Sequence, residues 1–207
     1  VDVMSLATAE RADLAELLAT LTPRQWDAPS LCAGWRVRDV VAHVYSYDEL
    51  GIAALVGRFV AGGLRPDRVN ALGVAAYADR GTDALVRLAR DHARPRGLTA
   101  AFGGRIALTD GLIHHQDIRR ALGLPRVVPT ERLRTALPFA LIAPTIGAGK
   151  RARGLTLAPT DLDWSSGRGP VVEGSAEALL MAVAGRRGTV DELAGPGRRT
   201  LAARLVT

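Results

Sequence analysis

The sequence predicts an α+β chain, with a helical bundle over residues 1–147 and a small C-terminal α/β domain over 148–207. Three observations carry this. Apolar residues recur at i, i+3, i+4 and i+7 in several segments up to about Gly123, the period of amphipathic helices. Short alternating segments separated by Ser-Gly and Gly-Pro turns follow only after Gly147. The balance of 48% hydrophobic and 23% charged residues is that of an ordinary folded chain.

The first helix is expected from about Ser5 to Leu21, where Leu6, Leu14, Leu17 and Leu18 fall on one side and Ala, Leu, Glu and Arg predominate. Thr22-Pro23 stops it. Leu21 to Gly34 reads as a loop by its Pro and Gly content, pinned to a core by Trp26, Leu31 and Trp35. Cys32 within it reads as a small buried filler, the usual state of a free cysteine, against the alternative of a thiol nucleophile. A second helix begins near Val37, with Val37, Val40, Val41 and Val44 as its apolar stripe. Gly57 to Asn70 reads as a loop around Gly62-Gly63 and Pro66, and a third helix as Ala71 to Ala93 with His92 near its end. Pro95 to Gly104 connects to a fourth helix, which ends near Gly123 with Pro125 beyond. Helices of this length joined by short connections make a four-helix bundle, a fold that often houses a metal between facing helices.

Thr130 starts a fifth helix, which Pro138 and Pro144 should kink or break. Gly147 to Gly154, with Lys150, Arg151 and Arg153, reads as an exposed link. Strands are expected over Gly154–Thr160, Asp161–Trp164 and Val171–Glu173, with Ser165-Ser166-Gly167 as a turn. A helix over Ser175–Ala184 follows, capped by Gly185.

Bulk properties exclude several classes. No run of about 18 apolar residues exists to span a membrane, and residues 1–10 lack a basic-then-apolar leader, so a cytoplasmic protein is expected. The single Cys32 permits no internal disulfide and fits a reducing compartment. The net charge is +6, yet Lys150 is the only lysine among 27 basic residues, and the arginines are spread from Arg11 to Arg204. With 4% aromatics and no recognisable motif, no nucleic-acid partner is expected.

The chemistry concentrates on the fourth helix. At about 100° per residue, Asp110 and His114 lie one turn apart on one face, and Asp117 continues that line among Ile106, Ile113 and Ile118. Buried carboxylates and imidazoles are costly unless they are paired or bind a cation. The alternative is a polar face at an ordinary surface. Of the four histidines, His43 lies about 60° from Val40 on the second helix, also inward, and Tyr47 lies one turn on, as pocket wall or as packing. His43, Asp110 and His114 thus make a two-histidine, one-carboxylate set that suits Zn²⁺, and also Fe²⁺ or Ni²⁺, with positions left open. His115 points about 100° away from His114 and is not expected to be a ligand.

Three stretches resemble the actinobacterial mycothiol-dependent maleylpyruvate isomerase family of the DinB-like metal-binding superfamily. They are Leu21 to His43 (LTPRQWDAPSLCAGWRVRDVVAH), Ile113 to Gly123 (IHHQDIRRALG), and Thr160 to Ser165 (TDLDWS) with the following EGSAEALLMAVAGR. The resemblance implies a DinB-like four-helix bundle followed by a domain resembling sterol carrier proteins. It implies metal ligands at His43, Asp110 and His114, with aspartate where the family typically has glutamate. Asp117 is then the candidate to hold an imidazole N–H. The implied cofactors are a divalent metal, most suitably Zn, and mycothiol as thiol cosubstrate. The implied partners are that low-molecular-weight thiol and a small electrophile, in an isomerase or S-transferase reaction. A hydrolase using metal-bound water and a non-catalytic metal-containing binding protein are the alternatives.

Overall fold

The computed structural model describes residues 2–205. The chain divides into two compact units, the first ending at Arg126 and the second beginning at Val127.

In the first unit, α1 (Val3–Thr20) is started by the Asp2 carboxylate, which accepts from the Ser5 N–H at 3.2 Å. The short α2 (Pro23–Trp26) follows, with Thr22 and Gln25 as a capping box and Pro23 at the first position. The expected loop is therefore part helix. Its residue Trp26 is buried. α3 (Val37–Tyr45) buries the predicted stripe of Val37, Val40, Val41 and Val44.

Two expectations change next. Gly57–Asn70 is not a loop: α4 (Ile52–Ala61) and α5 (Pro66–Ala75) form a hairpin around it, with Pro66 placed at a helix start, where its missing N–H costs nothing. The long third helix is likewise split. α5 ends before Tyr77, and α6 (Thr82–Asp91) restarts after Gly81. α7 (Arg105–Ala121) then follows a 3-10 segment over Gly97–Gly104. α1 packs on α6 and α7, and α3 packs on the same two, so these four helices form the bundle. Their shared core includes Leu14, Leu18, Val40, Val44, Leu85, Leu88 and Ile118. A buried clamp adds to it. Arg11 pairs bidentately with Asp48 at 2.7 and 3.0 Å, and Asp48 also accepts from the Arg96 N–H and the Thr99 hydroxyl.

The second unit begins with α8 (Thr130–Ile142), which packs against α10 (Ala176–Val183). That packing places the division before α8, whereas the sequence reading put the change at Gly147. Pro138 forfeits one helical hydrogen bond without ending α8, because Leu137, Phe139 and Ala140 around it are buried. The expected link after Gly147 is instead α9 (Ala148–Ala152). Ala148 is buried there, and Arg151 donates to the Ile146 and Val183 carbonyls at 2.7 and 2.9 Å.

The sheet has the order β2-β1-β3, with β1 (Thr156–Pro159) antiparallel to β2 (Ser166–Gly167) and parallel to β3 (Val171–Gly174). Leu157 pairs with Val172, and both are buried. Asp161–Trp164 is not a strand. The expected turn at Ser166-Gly167 is the strand instead, because Gly167, at φ 95°, lets the backbone come against Leu155, where a Cβ would lie 2.1 Å from the carbonyl oxygen. The Asp161 carboxylate accepts from the Ala176 N–H at 2.7 Å, at the start of α10. Ser175 is the N-cap of α10, and α11 (Arg198–Ala203) closes the unit. Among the described residues, no helix is long and apolar enough to cross a membrane.

Candidate metal centre

The site is assembled by α3 and α7. The valine stripe turns one face of α3 into the bundle, and Leu108, Leu112 and Ile118 do the same for α7. His43 and His114 ride on those inward faces and are both buried. Their rings meet edge to face, with centroids 4.8 Å apart. Asp110, one turn before His114, completes the group. Its Oδ1 lies 3.6 Å from His43 Nε2 and 3.5 Å from His114 Nε2. The structure therefore brings together all three residues expected to ligate, with their donor atoms within 4.8 Å of one another. The Asp110 side chain is 37% exposed while the two histidines are 8% and 11% exposed, so the group opens to solvent on the carboxylate side.

The donor set fits a divalent ion. The two separations of 3.5 and 3.6 Å exceed good hydrogen-bond lengths. They match the roughly 3.4 Å between ligand atoms that tetrahedral bonds of about 2.1 Å to zinc produce. His114 is prepared for such a role, because its Nδ1 lies 2.9 Å from Asp117 Oδ2. A proton held at Nδ1 directs Nε2 toward Asp110, the arrangement typical of metal-bound histidine. The Asp117 carboxylate is itself fully buried. His43 is held differently. Its buried Nδ1 has no hydrogen-bond partner, and its ring is flanked by Trp35 at 5.1 Å and by the edge of Tyr47 at 6.1 Å.

Electrostatics reinforce the pairing. Burial pushes the Asp110 carboxyl up, but the facing His114 and His43 rings outweigh this and hold it well below the usual carboxylate range. Burial lowers His114, yet Asp110 first, then Asp117 and Cys32, raise it well above the ordinary imidazole value. Both shifts favour the charged forms of a carboxylate facing imidazoles, and a cation bound between them would compete with the imidazole proton.

Tyr47 stands at the edge of the site. Its hydroxyl donates to Asn70 Oδ1 at 2.6 Å, and the Arg58 guanidinium lies 5.3 Å from its ring centre. Arg58 in turn donates to the Ser46 carbonyl and hydroxyl. Desolvation, above all, raises the Tyr47 phenol, so it stays a donor at neutral pH.

Cys32 departs from the expected inert filler. It is half-buried, and its Sγ lies 3.0 Å from Asp117 Oδ2 and 3.5 Å from His114 Nδ1. The Pro- and Gly-punctuated loop that carries Cys32 holds it beside α7, where the Leu31 N–H donates to the Asp117 carbonyl. His115 takes no part in the metal group. It sits 2.8 Å from Glu10, on the α1 side of the helix.

Residues 7–102 match the family described as the mycothiol maleylpyruvate isomerase N-terminal domain. That span contains Cys32, His43 and Tyr47 but ends before Asp110 and His114. Among solved structures, the chain is similar to a mycothiol-dependent maleylpyruvate isomerase and to a histidine-to-alanine mutant of it. Each matches with a TM-score of 0.58 and 18% identity, over 94% of this chain and 91% of the other. That likeness shows the fold. No curated protein matches the chain. The resemblance read in the sequence, to the mycothiol-dependent maleylpyruvate isomerase family, holds over residues 7–102, while the likeness of the second unit to sterol carrier proteins rests on the sequence alone.

Proposed function

We propose that this chain, whose residues 7–102 match the N-terminal domain of the mycothiol maleylpyruvate isomerases, is a metal-dependent enzyme that uses a low-molecular-weight thiol on a small electrophile. The observation that carries the reading is the convergence of His43, Asp110 and His114, with the far nitrogen of His114 already committed to Asp117. These three residues hold a divalent ion, zinc being the best match to two imidazoles and a carboxylate. When bound, the ion supplies a position at which a thiol binds as its nucleophilic thiolate.

The protein groups do the rest. Asp117 keeps the Nδ1 proton on His114 and so keeps Nε2 facing the site. Trp35 and Tyr47 pack against the His43 ring and confine it. Arg58, above Tyr47, places a positive charge beside that ring, suited to a carboxylate of thiol or substrate. In the isomerisation, thiolate sulfur forms a bond to one alkene carbon while the π pair moves to the electron-withdrawing group. Rotation about the resulting single bond follows, and return of the pair expels the thiolate. Mycothiol is the thiol the family match favours, and maleylpyruvate is the first electrophile to test.

The assay combines metal-loaded protein, mycothiol and a panel of electrophiles that includes maleylpyruvate. Isomer formation or thiol consumption that disappears in His43→Ala is the expected result. Turnover that persists without thiol replaces this reading with a hydrolase. Tight metal binding with neither thiol binding nor turnover replaces it with a binding module.

A further inference from the structure

The loop before α3 touches both imidazoles of the site. It is closed on itself: the Ser30 N–H donates to the Trp35 carbonyl at 2.9 Å, and the Trp35 N–H donates to the Cys32 carbonyl at 3.0 Å. Gly34, at φ 79°, makes that tight reversal possible. The Ser30 hydroxyl accepts from the Cys32 N–H at 3.1 Å, which fixes the cysteine backbone. The loop is also fastened to α7, where the Leu31 N–H donates to the Asp117 carbonyl at 3.3 Å. From this frame Trp35 reaches the His43 ring and Cys32 reaches the Asp117 carboxylate.

We propose that Cys32 is a positioning residue for the metal centre: its S–H donates to Asp117 Oδ2 and fixes the carboxylate that in turn fixes His114. The proposal rests on the reading of His114 as a ligand. Asp117 Oδ2 is the shared atom, receiving the S–H at 3.0 Å and the imidazole Nδ1 at 2.9 Å. A carboxylate can rotate about its last bond, and a second donor on the same oxygen holds that rotation. A thiol suits this place because it is a weak donor. It orients Oδ2 and leaves the oxygen able to accept strongly from the imidazole. The loop cysteine and tryptophan thus brace the two imidazoles from one piece of backbone.

The test uses full-length Cys32→Ala, which removes the donor, Cys32→Ser, which keeps one, and Asp117→Asn as the reference. Two readings are taken. In metal-free protein, hydrogen exchange of the His114 Nδ1–H resonance is followed by NMR. In parallel, the zinc dissociation constant is measured by competition with a chelator. Cys32→Ala is expected to speed that exchange about tenfold and to weaken zinc about tenfold, the lower end of what loss of a ligand's supporting partner costs. Cys32→Ser should stay within about threefold of the parent in both, since a hydroxyl also donates. Cys32→Ala exchange equal to the parent's overturns the proposal, as does Cys32→Ser exchange as fast as that of Cys32→Ala. A fall in melting temperature with His114 exchange unchanged also overturns it, by showing a packing role only. Should the parent bind no zinc, the ligand reading fails, while the exchange measurement still decides whether Cys32 braces Asp117 and His114.

Discussion

His114 and His115 are neighbours on one helix, both buried, and both bonded to a carboxylate through Nδ1. What separates them is the other nitrogen. His115 Nε2 accepts from Arg119 Nε at 2.9 Å, so its Nδ1 must carry the proton that Glu10 receives, and both ring nitrogens are spent. Glu10 also accepts from Arg126 at 2.5 Å, and Arg126 donates to Gln116 at 2.9 Å, which closes a network of complementary charges. His114 has one nitrogen committed and presents the other to His43 and Asp110 across distances too long for good hydrogen bonds. A buried histidine with both nitrogens paired holds the fold together. One with a single nitrogen paired, facing a second imidazole and a carboxylate, gives the geometry on which the proposed metal site rests.

The largest test of that contrast removes each ring in turn. His114→Ala takes one of the three proposed ligands, and zinc affinity should fall by roughly a thousandfold, about 4 kcal/mol. Isothermal titration would read it, and a loss under tenfold would remove His114 from the ligand set. Because Asp110 raises the His114 imidazole, zinc uptake must displace a proton. Affinity should therefore rise with pH through neutrality in the parent protein.

His115→Ala should reverse the pattern. It leaves the buried Glu10 carboxylate without one of its partners, a loss of about 3 kcal/mol of folding stability, with zinc affinity within about twofold of the parent. Urea denaturation and titration on the same sample separate the two effects. Weakened zinc binding with full stability would exchange the roles assigned to the two histidines.

The same network sets an acid limit. Burial pushes Glu10 up, but the His115 hydrogen bond and the Arg126 charge outweigh it and hold the carboxyl at about 2 against an ordinary 4.5. A depressed folded value stabilises the fold above the ordinary value, and that contribution is lost as pH falls from about 4.5 toward 2. It amounts to about 3 kcal/mol. His115 is lowered by burial first of all, so its share is also lost on acidification, starting near its ordinary 6.5. The stability difference between the parent and Glu10→Gln, followed by denaturant midpoint, should shrink across the Glu10 window. A constant difference would show that Glu10 is not held ionised.

Much of this contrast could be read from sequence. The i, i+4 spacing of Asp110 and His114 and the valine stripe beside His43 place three donors on inward faces, because helical period alone fixes direction. The four-helix bundle follows from the same period. The partners of His115 are a different matter. Glu10 and Arg11 lie on α1 among leucines and alanines, where charged residues normally point to solvent, and opposing partners that include His115, Arg126 and Asp48 draw them inside. Those pairings join positions far apart in the chain, which periodicity cannot register. The α4–α5 hairpin was hidden because glycines and a proline that usually signal a loop here sit at helix ends. Cys32 was hidden because its partner comes from a helix that a local reading cannot bring near.

A milder change separates the two sides of the site itself. Asp117→Asn keeps the shape of the side chain but lowers its acceptor strength and places an amide where an imidazole N–H now points. Zinc affinity should fall about 10- to 100-fold. A fall of less than threefold would mean that His114 is oriented by packing, as His43 is, and the difference between the two ligands would disappear.

The smallest effect is expected on the His43 side. No hydrogen bond restrains the Nδ1 side of that ring, and Tyr47 meets it only edge-on. Tyr47→Phe keeps the edge contact and removes the hydroxyl that donates to Asn70. The net loss of one such hydrogen bond is about 1 kcal/mol, drawn from the tie between α5 and the segment after α3. Zinc affinity should therefore stay within about twofold of the parent, because nothing that touches a ligand nitrogen has changed. If the phenol also borders the bound thiol or electrophile, its loss should appear as a raised KM of up to about fivefold, with the zinc constant unmoved. A zinc constant weakened tenfold by this one oxygen would instead make Tyr47 a support for His43, and the asymmetry between the two imidazoles would then be one of degree.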